Sequence, residues 1–242
     1  ALAISLVPAI SEALALHKYH LLRQRAYQAI RMTLILAIPC AIGLYLLAEP
    51  ICVLLYQNAE AGDVLAVLAL GVIFLTLYQT TSAILQGLGK TMIPVINLFW
   101  GAVIKTSFTW SLTAWPELHV RGAAIATVLG FGVAALLNVY QVQKITDLCL
   151  AVVETIFKPL CAAAAMGVSV IYLYNTLEPM LVSLEIGAAN QVTTLLSVMI
   201  GALIYLIGLM LLGGLSKSDL LLLPKIGPLL VRIAERLYLI RG

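Results

Sequence analysis

The sequence has very little charge for its length. Only 10% of its 242 residues are Asp, Glu, Lys or Arg, whereas 62% are hydrophobic. Soluble domains carry about 25% charged residues, and so few charges could not cover the surface of a water-soluble globule. This shortage excludes a soluble enzyme, a secreted disulfide scaffold and a disordered chain. We therefore predict a membrane protein.

Residue patterns that carry out chemistry are also missing. The four cysteines show no CxxC or CxxH spacing, and the chain has no GxSxG, HExxH or P-loop pattern. The three histidines lie in connections between apolar runs. No basic face alternates with exposed aromatic residues, so nucleic acid is not an expected partner. We expect no enzyme activity, no metal site and no cofactor.

Long apolar runs are what the sequence does have. A membrane-spanning helix needs about 20 mostly apolar residues, and β-barrel strands are shorter and alternate in polarity. Six runs meet the helical requirement and follow the apolar residues 1–10: 32–56, 64–89, 91–115, 122–143, 152–175 and 191–212. The predicted fold class is therefore all-α, a polytopic bundle of about six spans plus the end of a preceding helix.

The positions of the basic residues predict the orientation of these spans. All but two of the 14 Lys and Arg residues fall in alternate connections, near the start of the fifth span next to such a connection (Lys158), or in the C-terminal tail. The two exceptions are Lys105, inside the third span, and Arg121. The acidic side chains of the intervening connections are Glu49, Glu60, Asp63, Glu117, Glu178 and Glu185. Because Lys and Arg are enriched in cytoplasmic loops, we predict a multi-pass cell-membrane protein with a cytoplasmic C-terminus.

The same features predict four parts of the chain. Residues 1–31 are the end of a transmembrane helix and a basic cytoplasmic connection, and residues 32–147 form a four-helix part. Residues 148–215 form two accessory transmembrane helices, and residues 216–242 a basic cytoplasmic tail.

Within the first part, we predict one cytoplasmic amphipathic helix from Glu12 to Arg31. Its basic rim consists of Lys18, Arg23, Arg25 and Arg31. This rim is either an anchor against anionic lipid or a surface that gathers an anionic substrate.

Lys105 is the most informative polar residue within a span. A Lys near the bilayer centre costs about 2.5–3.5 kcal/mol on insertion scales, so it should face a wet cavity or an anion. It shares a helical stripe with Asn97, Gly101 and Thr109. The alternative is that the Lys105 side chain extends along its apolar stem to the membrane surface.

A second polar stripe lies in the second span. It comprises Thr76, Gln79, Thr80, Ala83, Gln86 and Gly87, and it either lines a polar cavity or packs against neighbouring helices. In the fourth span we expect small residues to pack closely and Asn138 to lie at the membrane interface. The predicted substrate-binding residues are Lys105, Asn97, Gln79, Gln86 and Thr76.

Four segments carry a resemblance to a known family. They read SLVPAISEA at 5–13, LAIPCAIGLYLLAEPICVLLY at 36–56, LQGLGKTMIPVINLFWGAVIK at 85–105 and RGAAIATVLGFGVAALLNVY at 121–140. They resemble the polysaccharide-flippase branch of the multidrug/oligosaccharidyl-lipid/polysaccharide exporter superfamily. The stage V sporulation protein B group is the nearer likeness and the lipid II flippase group the more distant one.

The resemblance implies a two-lobe transporter with a central cavity. This chain would run from the end of the eighth helix to the fourteenth, forming most of the C-terminal lobe, with the N-terminal lobe as its partner. The family moves a polyprenyl-diphosphate-linked sugar between leaflets by alternating access, and basic cavity residues meet its anionic head group. Lys105 alone matches such a role here. Relatives with a sodium-type site use carboxylates in the seventh and eleventh helices, and the matching third span has none.

We therefore expect a flippase that moves a lipid-linked oligosaccharide or peptidoglycan precursor to the outer leaflet, with membrane lipid around it. Three alternatives remain. A cation/drug antiporter of the same superfamily would need an acidic residue inside its cavity. A membrane-embedded transferase would need a carboxylate or His at a membrane face. A non-transporting scaffold of the cell envelope would have a sealed interior.

Overall fold

The computed structural model describes residues 2–115, 118–183 and 189–214, and nearly all of these residues are helical. The chain divides into two compact units, Ala1–Leu150 and Ala151–Gly242. The first unit contains the helices α1 (Leu2–Ala15), α2 (Tyr19–Leu46), α3 (Ala48–Tyr56), α4 (Glu60–Gly87), α5 (Met92–Thr113) and α6 (His119–Thr146). The second contains a π-helical turn (Val153–Phe157) followed by α7 (Lys158–Ser183) and α8 (Ala189–Leu211).

Six helices in the described part of the chain are long and apolar enough to cross a membrane. These stretches are Tyr19–Leu46, Glu60–Gly87, Met92–Thr113, His119–Thr146, Val153–Met180 and Asn190–Leu211. Five of them match the predicted spans from 64–89 onward. The first predicted span, 32–56, overlaps only the second half of Tyr19–Leu46 and continues through α3. The short apolar helix Ser5–Ala15 precedes all six. The prediction of an all-α, multi-pass membrane fold is confirmed.

The first unit is organised around α4 and α6. Helix α6 packs against both α4 and α5, which touch each other little, whereas α1, α2 and α3 pack against α4. Small residues let α6 approach its neighbours, since Ala124, Ala126, Gly130 and Ala134 are all buried. Close packing of small residues is the usual basis of helix association in membranes, and it confirms that prediction for the fourth span.

The predicted amphipathic helix from Glu12 to Arg31 is wrong as a single element. Helix α1 ends at Ala15, and the backbone reverses at His17, whose φ is +52°. The N–H of Lys18 donates to the Ala13 carbonyl and the N–H of His17 to the Leu14 carbonyl, each at 3.0 Å. This paired arrangement is a Schellman helix end. Of the predicted rim residues, Lys18 immediately precedes the spanning helix α2, and Arg23, Arg25 and Arg31 lie within it.

The first predicted span, 32–56, forms parts of two helices in the structure. Helix α2 runs through Pro39 without interruption and ends at Leu46. A single non-helical residue, Leu47, separates it from the short helix α3. Helix α3 ends at Tyr56, and the next residue, Gln57, has a φ of +54° in the left-handed region.

In the second unit, α7 and α8 pack side by side. A Cβ built on Gly201 would lie 2.6 Å from Cγ2 of Val170, so α8 comes very close to α7 at this point. The hydroxyl residues Thr193, Thr194 and Ser197 of α8 are buried. The predicted tail 216–242 and the acidic residues Glu117 and Glu185 lie outside the described residues.

Candidate functional site

The candidate site lies on the second half of α5, where hydroxyl side chains follow Lys105. Four of these hydroxyls donate to the backbone carbonyl four residues earlier, and they belong to Thr106, Ser107, Ser111 and Thr113. Such bonds satisfy each hydroxyl proton within its own helix. The helix can therefore carry these residues at membrane depth without a partner from another element.

Lys105 opens onto a groove along this half of α5. The groove has a volume of about 640 Å³ and is lined by Lys105, Thr106, Thr109, Trp110, Thr113 and Ala114. Lys105 is exposed, and the Trp110 side chain is 83% exposed. Among the described residues, neither a carboxylate nor an imidazole lines this groove. One cation beside hydroxyls and an indole is an arrangement that suits an anionic, hydroxyl-rich ligand.

A close helix crossing fixes the position of Lys105. A Cβ built on Gly101 would lie 2.5 Å from the carbonyl oxygen of Gly130, and one built on Gly130 would lie 2.7 Å from that of Gly101. The Cβ of Lys105 would be 2.8 Å from the added Gly130 methyl group. A side chain larger than hydrogen at Gly101 or Gly130 would therefore push α5 and α6 apart. The base of Lys105 rests on α6, whereas its charged end is exposed.

Next to this crossing, a buried hydrogen-bonded chain of two amides and one hydroxyl joins three helices. Nδ2 of Asn97 donates to Oδ1 of Asn138 at 2.8 Å, and Nδ2 of Asn138 donates to Oγ of Ser82 at 2.9 Å. Asn138 is fully buried and Asn97 is 7% exposed. Its side chain is enclosed between α4, α5 and α6 and links these helices. The expected place of Asn138 at the membrane interface stays a prediction.

The predicted α5 stripe therefore divides in two. Asn97 and Gly101 face α6 and hold the helices together, whereas Lys105 and Thr109 line the groove. Residues four apart on an α-helix are rotated by about 40° from one another, so the stripe turns gradually away from α6 along α5.

The predicted α4 stripe also divides between packing and exposure. The hydroxyls of Thr80 and Thr33 are hydrogen-bonded at 2.7 Å and link α4 to α2. The Thr76 hydroxyl donates to the carbonyls of Val72 and Ile73. Gln79 and Gln86 are exposed, but the structure does not bring them into the Lys105 groove. Packing therefore accounts for one side of this stripe and leaves the two glutamines on its outer side.

Two of the four basic-rim residues form hydrogen bonds and ion pairs with other parts of the chain. Arg23 donates from Nε to the Thr146 carbonyl at 2.6 Å, and its Nη2 lies 3.0 Å from Oδ2 of Asp147. Arg25 contacts the Ala9 carbonyl, and its Nη1 lies 3.3 Å from Oε2 of Glu12. Lys18 is exposed and Arg31 is half-buried. Two of the four rim residues thus connect α2 to neighbouring helices.

Sequence reasoning missed the roles of Asn138 and Ser82. The available signal was that Asn138 is an amide inside an apolar run, which in a membrane requires an internal partner. Nothing in the sequence spacing of Ser82, Asn97 and Asn138 indicates that they meet, because they lie on three different helices.

Comparisons with known proteins assign the family. The family model described as "Lipid II flippase MurJ" matches residues 1–187, which is more than half of the chain. Three proteins of Bacillus subtilis (strain 168) are similar. "Uncharacterized membrane protein YabM" is 27% identical over 219 residues, covering 90% of this chain and 40% of that protein. "Stage V sporulation protein B" is 26% identical over 232 residues, covering 96% and 43%.

The third relative, "Lipid II flippase MurJ", is 28% identical over 149 residues, covering 60% of this chain and 27% of its own length. The chain thus spans less than half the length of each of these relatives. The chain belongs to the MurJ flippase family, and the resemblance seen in its sequence is confirmed.

Proposed function

We propose that this member of the MurJ family forms part of a flippase for a lipid-linked oligosaccharide or peptidoglycan precursor. Such a transporter moves its cargo from the cytoplasmic to the outer leaflet by alternating access. The observation that carries the proposal is Lys105, a basic residue inside a spanning helix that opens onto a polar groove. The relative called lipid II flippase supports a lipid-linked cargo.

The depth of Lys105 supports an anionic ligand. It is the fourteenth residue of the 22-residue helix α5, which places it about 20 Å from the start of the helix at 1.5 Å per residue. The hydrocarbon core is about 30 Å thick, so Lys105 lies inside it. A cation at that depth is costly, and a diphosphate would supply the opposite charge.

The groove suits the rest of a sugar head group as well. A hydroxyl that donates to its own backbone still has lone pairs, so Thr106 and Thr113 can accept hydrogen bonds from sugar hydroxyls. The exposed indole of Trp110 offers a flat apolar face against which a sugar ring can stack. We propose that Lys105 contacts the diphosphate, and that Asn97 acts through α6 to hold α5 in place.

Gln79, Gln86 and Thr76 remain proposed cavity residues on α4, on a face separate from the Lys105 groove. The exposed glutamines can donate and accept hydrogen bonds with a sugar. The N-terminal lobe of the same protein would complete the cavity, since the relatives are more than twice as long as the part they share with this chain.

The orientation is part of the same proposal. With a cytoplasmic basic face, the connections before α4 and α6 face outward and the C-terminus faces inward. In a variant without its four native cysteines, Asn58→Cys should react with a membrane-impermeant maleimide in intact cells. Lys90→Cys should react only after permeabilisation. The reverse pattern would contradict this orientation.

A transport assay of the full-length protein tests the function. Lys105→Gln should lower outward movement of the precursor about tenfold or more, because a charge-assisted contact contributes about 1.5–3 kcal/mol. Lys90→Gln removes an exposed lysine from the connection before α5 and should leave transport unchanged. Equal transport by both variants, at equal expression, would refute the role of Lys105.

A further inference from the structure

A second pocket lies at the end of the first unit where α4 and α6 begin. Its volume is about 650 Å³, and α3, α4 and α6 all contribute to its walls. Its apolar side chains include Tyr56, Val64, Leu65, Leu68, Leu118 and Val120. Its polar side chains are Asn58, Glu60, Asp63, His119 and Arg121. It shares no residue with the Lys105 groove.

The polar side chains carry both signs of charge in a fixed arrangement. Glu60 and Asp63 lie in the first turn of α4, and His119 and Arg121 lie in the first turn of α6. Arg121 and Asp63 form an ion pair that joins the two helices. Glu60 is exposed, and its backbone N–H donates to Oδ1 of Asn58 at 2.9 Å. An acidic and a basic side therefore border the same opening.

Tight backbone contacts hold the walls of this pocket. A Cβ built on Gly62 would lie 2.7 Å from Cα of Glu49, so α3 rests directly on the start of α4. One built on Gly122 would lie 2.8 Å from the carbonyl oxygen of Leu112, so the start of α6 rests on the end of α5. The pocket is thus part of the packed unit.

The charges and the apolar walls lie at different depths. Helix α4 has 28 residues and is about 42 Å long, which exceeds the hydrocarbon thickness of about 30 Å. A helix of this length centred on the hydrocarbon core extends about 6 Å beyond it at each end, which places the charged first turn of α4 at the headgroup layer. Leu65 and Leu68 follow Glu60 by about 8–12 Å along the helix, at the depth where acyl chains begin. The pocket is polar at the headgroup level and apolar below it.

We propose that this pocket binds phosphatidylethanolamine from the surrounding bilayer. The ammonium group donates to Glu60, the phosphate faces Arg121 and His119, and an acyl chain lies along Val64 and Leu68. Charge complementarity favours this lipid, because the rim offers a carboxylate and a cation to a zwitterionic head group. Asp63 is already paired with Arg121, so Glu60 is the carboxylate that faces the head group. An anionic head group carries no positive charge to match Glu60. This site is separate from the proposed transport groove and does not depend on it.

Lipid retention by the full-length protein tests the proposal. The purified protein in detergent is titrated with phosphatidylethanolamine, phosphatidylcholine and phosphatidylglycerol of identical acyl chains, and bound lipid is counted by native mass spectrometry. Phosphatidylcholine shares the phosphate but its quaternary ammonium has no proton to donate. We expect phosphatidylethanolamine to bind more tightly than either other lipid. Glu60→Gln should weaken its binding about three- to fivefold, the size of a lost contact between exposed charges, and remove the preference over phosphatidylcholine.

Glu49→Gln is the matched control. Glu49 is an exposed carboxylate on the neighbouring helix α3, and it does not line the pocket. This variant should keep the full preference, and thermal melting should show that both variants are folded. Equal retention of the three lipids, stronger binding of phosphatidylglycerol, or an unchanged preference in Glu60→Gln would each overturn the proposal.

Discussion

At the scale of single residues, the polar side chains of the spans fall into two groups, those buried against one another and those that line a groove. Asn97, Asn138 and Ser82 satisfy one another in the interior, where an unpaired amide in hydrocarbon would be costly. Lys105 lies two turns further along α5, is exposed, and lines a groove together with three threonines and Trp110. The first group stabilises the bundle, and the second is available to a ligand.

Asn138→Ala should lower the free energy of unfolding by about 1–2 kcal/mol. Two side-chain hydrogen bonds are lost, each contributing about 0.6 kcal/mol in membrane proteins, and Asn97 and Ser82 lose a buried partner. Denaturant unfolding of the full-length protein in bicelles measures the change. Gln141→Ala, on the same helix but only half-buried, should change stability by less than about 0.5 kcal/mol.

A double-mutant cycle with Asn97→Ala tests the connection itself. Each substitution removes the hydrogen bond between Asn97 and Asn138. The double variant should therefore lose less unfolding free energy than the two single variants lose when their losses are added. Strict additivity would show that the two amides do not interact.

At the scale of helices, the α5–α6 crossing determines where the candidate site can be. The backbones meet at Gly101 and Gly130, and Lys105 comes one turn later. Because the helices are in such close contact there, a change in α6 should shift the residues that line the α5 groove.

Gly130→Ala should therefore destabilise the first unit by about 1–3 kcal/mol, as overpacking does. Gly132→Ala is the control on the same helix, since the nearest atom to its added Cβ would be 3.8 Å away in Phe74. That variant should be neutral or slightly stabilising, because Ala favours helix by up to about 1 kcal/mol over Gly. Thermal melting compares the two, and equal melting points would contradict the tight crossing.

The sequence predicted the elements better than their ends and contacts. The six spans follow from apolar run length alone, because hydrocarbon thickness sets that length. The end of α1 at Ala15 and the uninterrupted passage of α2 through Pro39 depend on local hydrogen bonding and tertiary packing, which composition does not show. Lys105 was identifiable from its cost of burial, whereas the partner of Asn97 lies 41 residues away on another helix.

At the scale of the whole molecule, a multi-pass helical chain of the MurJ family carries Lys105 well inside the spanning helix α5. The family match covers residues 1–187 and includes the first unit. Within that unit, the Lys105 groove and the pocket between α3, α4 and α6 are separate. We assign the first to the transported head group and the second to bilayer lipid.

The most direct test of the central claim is native mass spectrometry of the full-length protein released from its own membrane. The account predicts a co-purifying mass that matches a polyprenyl-diphosphate-linked sugar, greatly reduced in Lys105→Gln and retained in Lys90→Gln. Ordinary phospholipid as the only bound species, equal in all three proteins, would contradict the account.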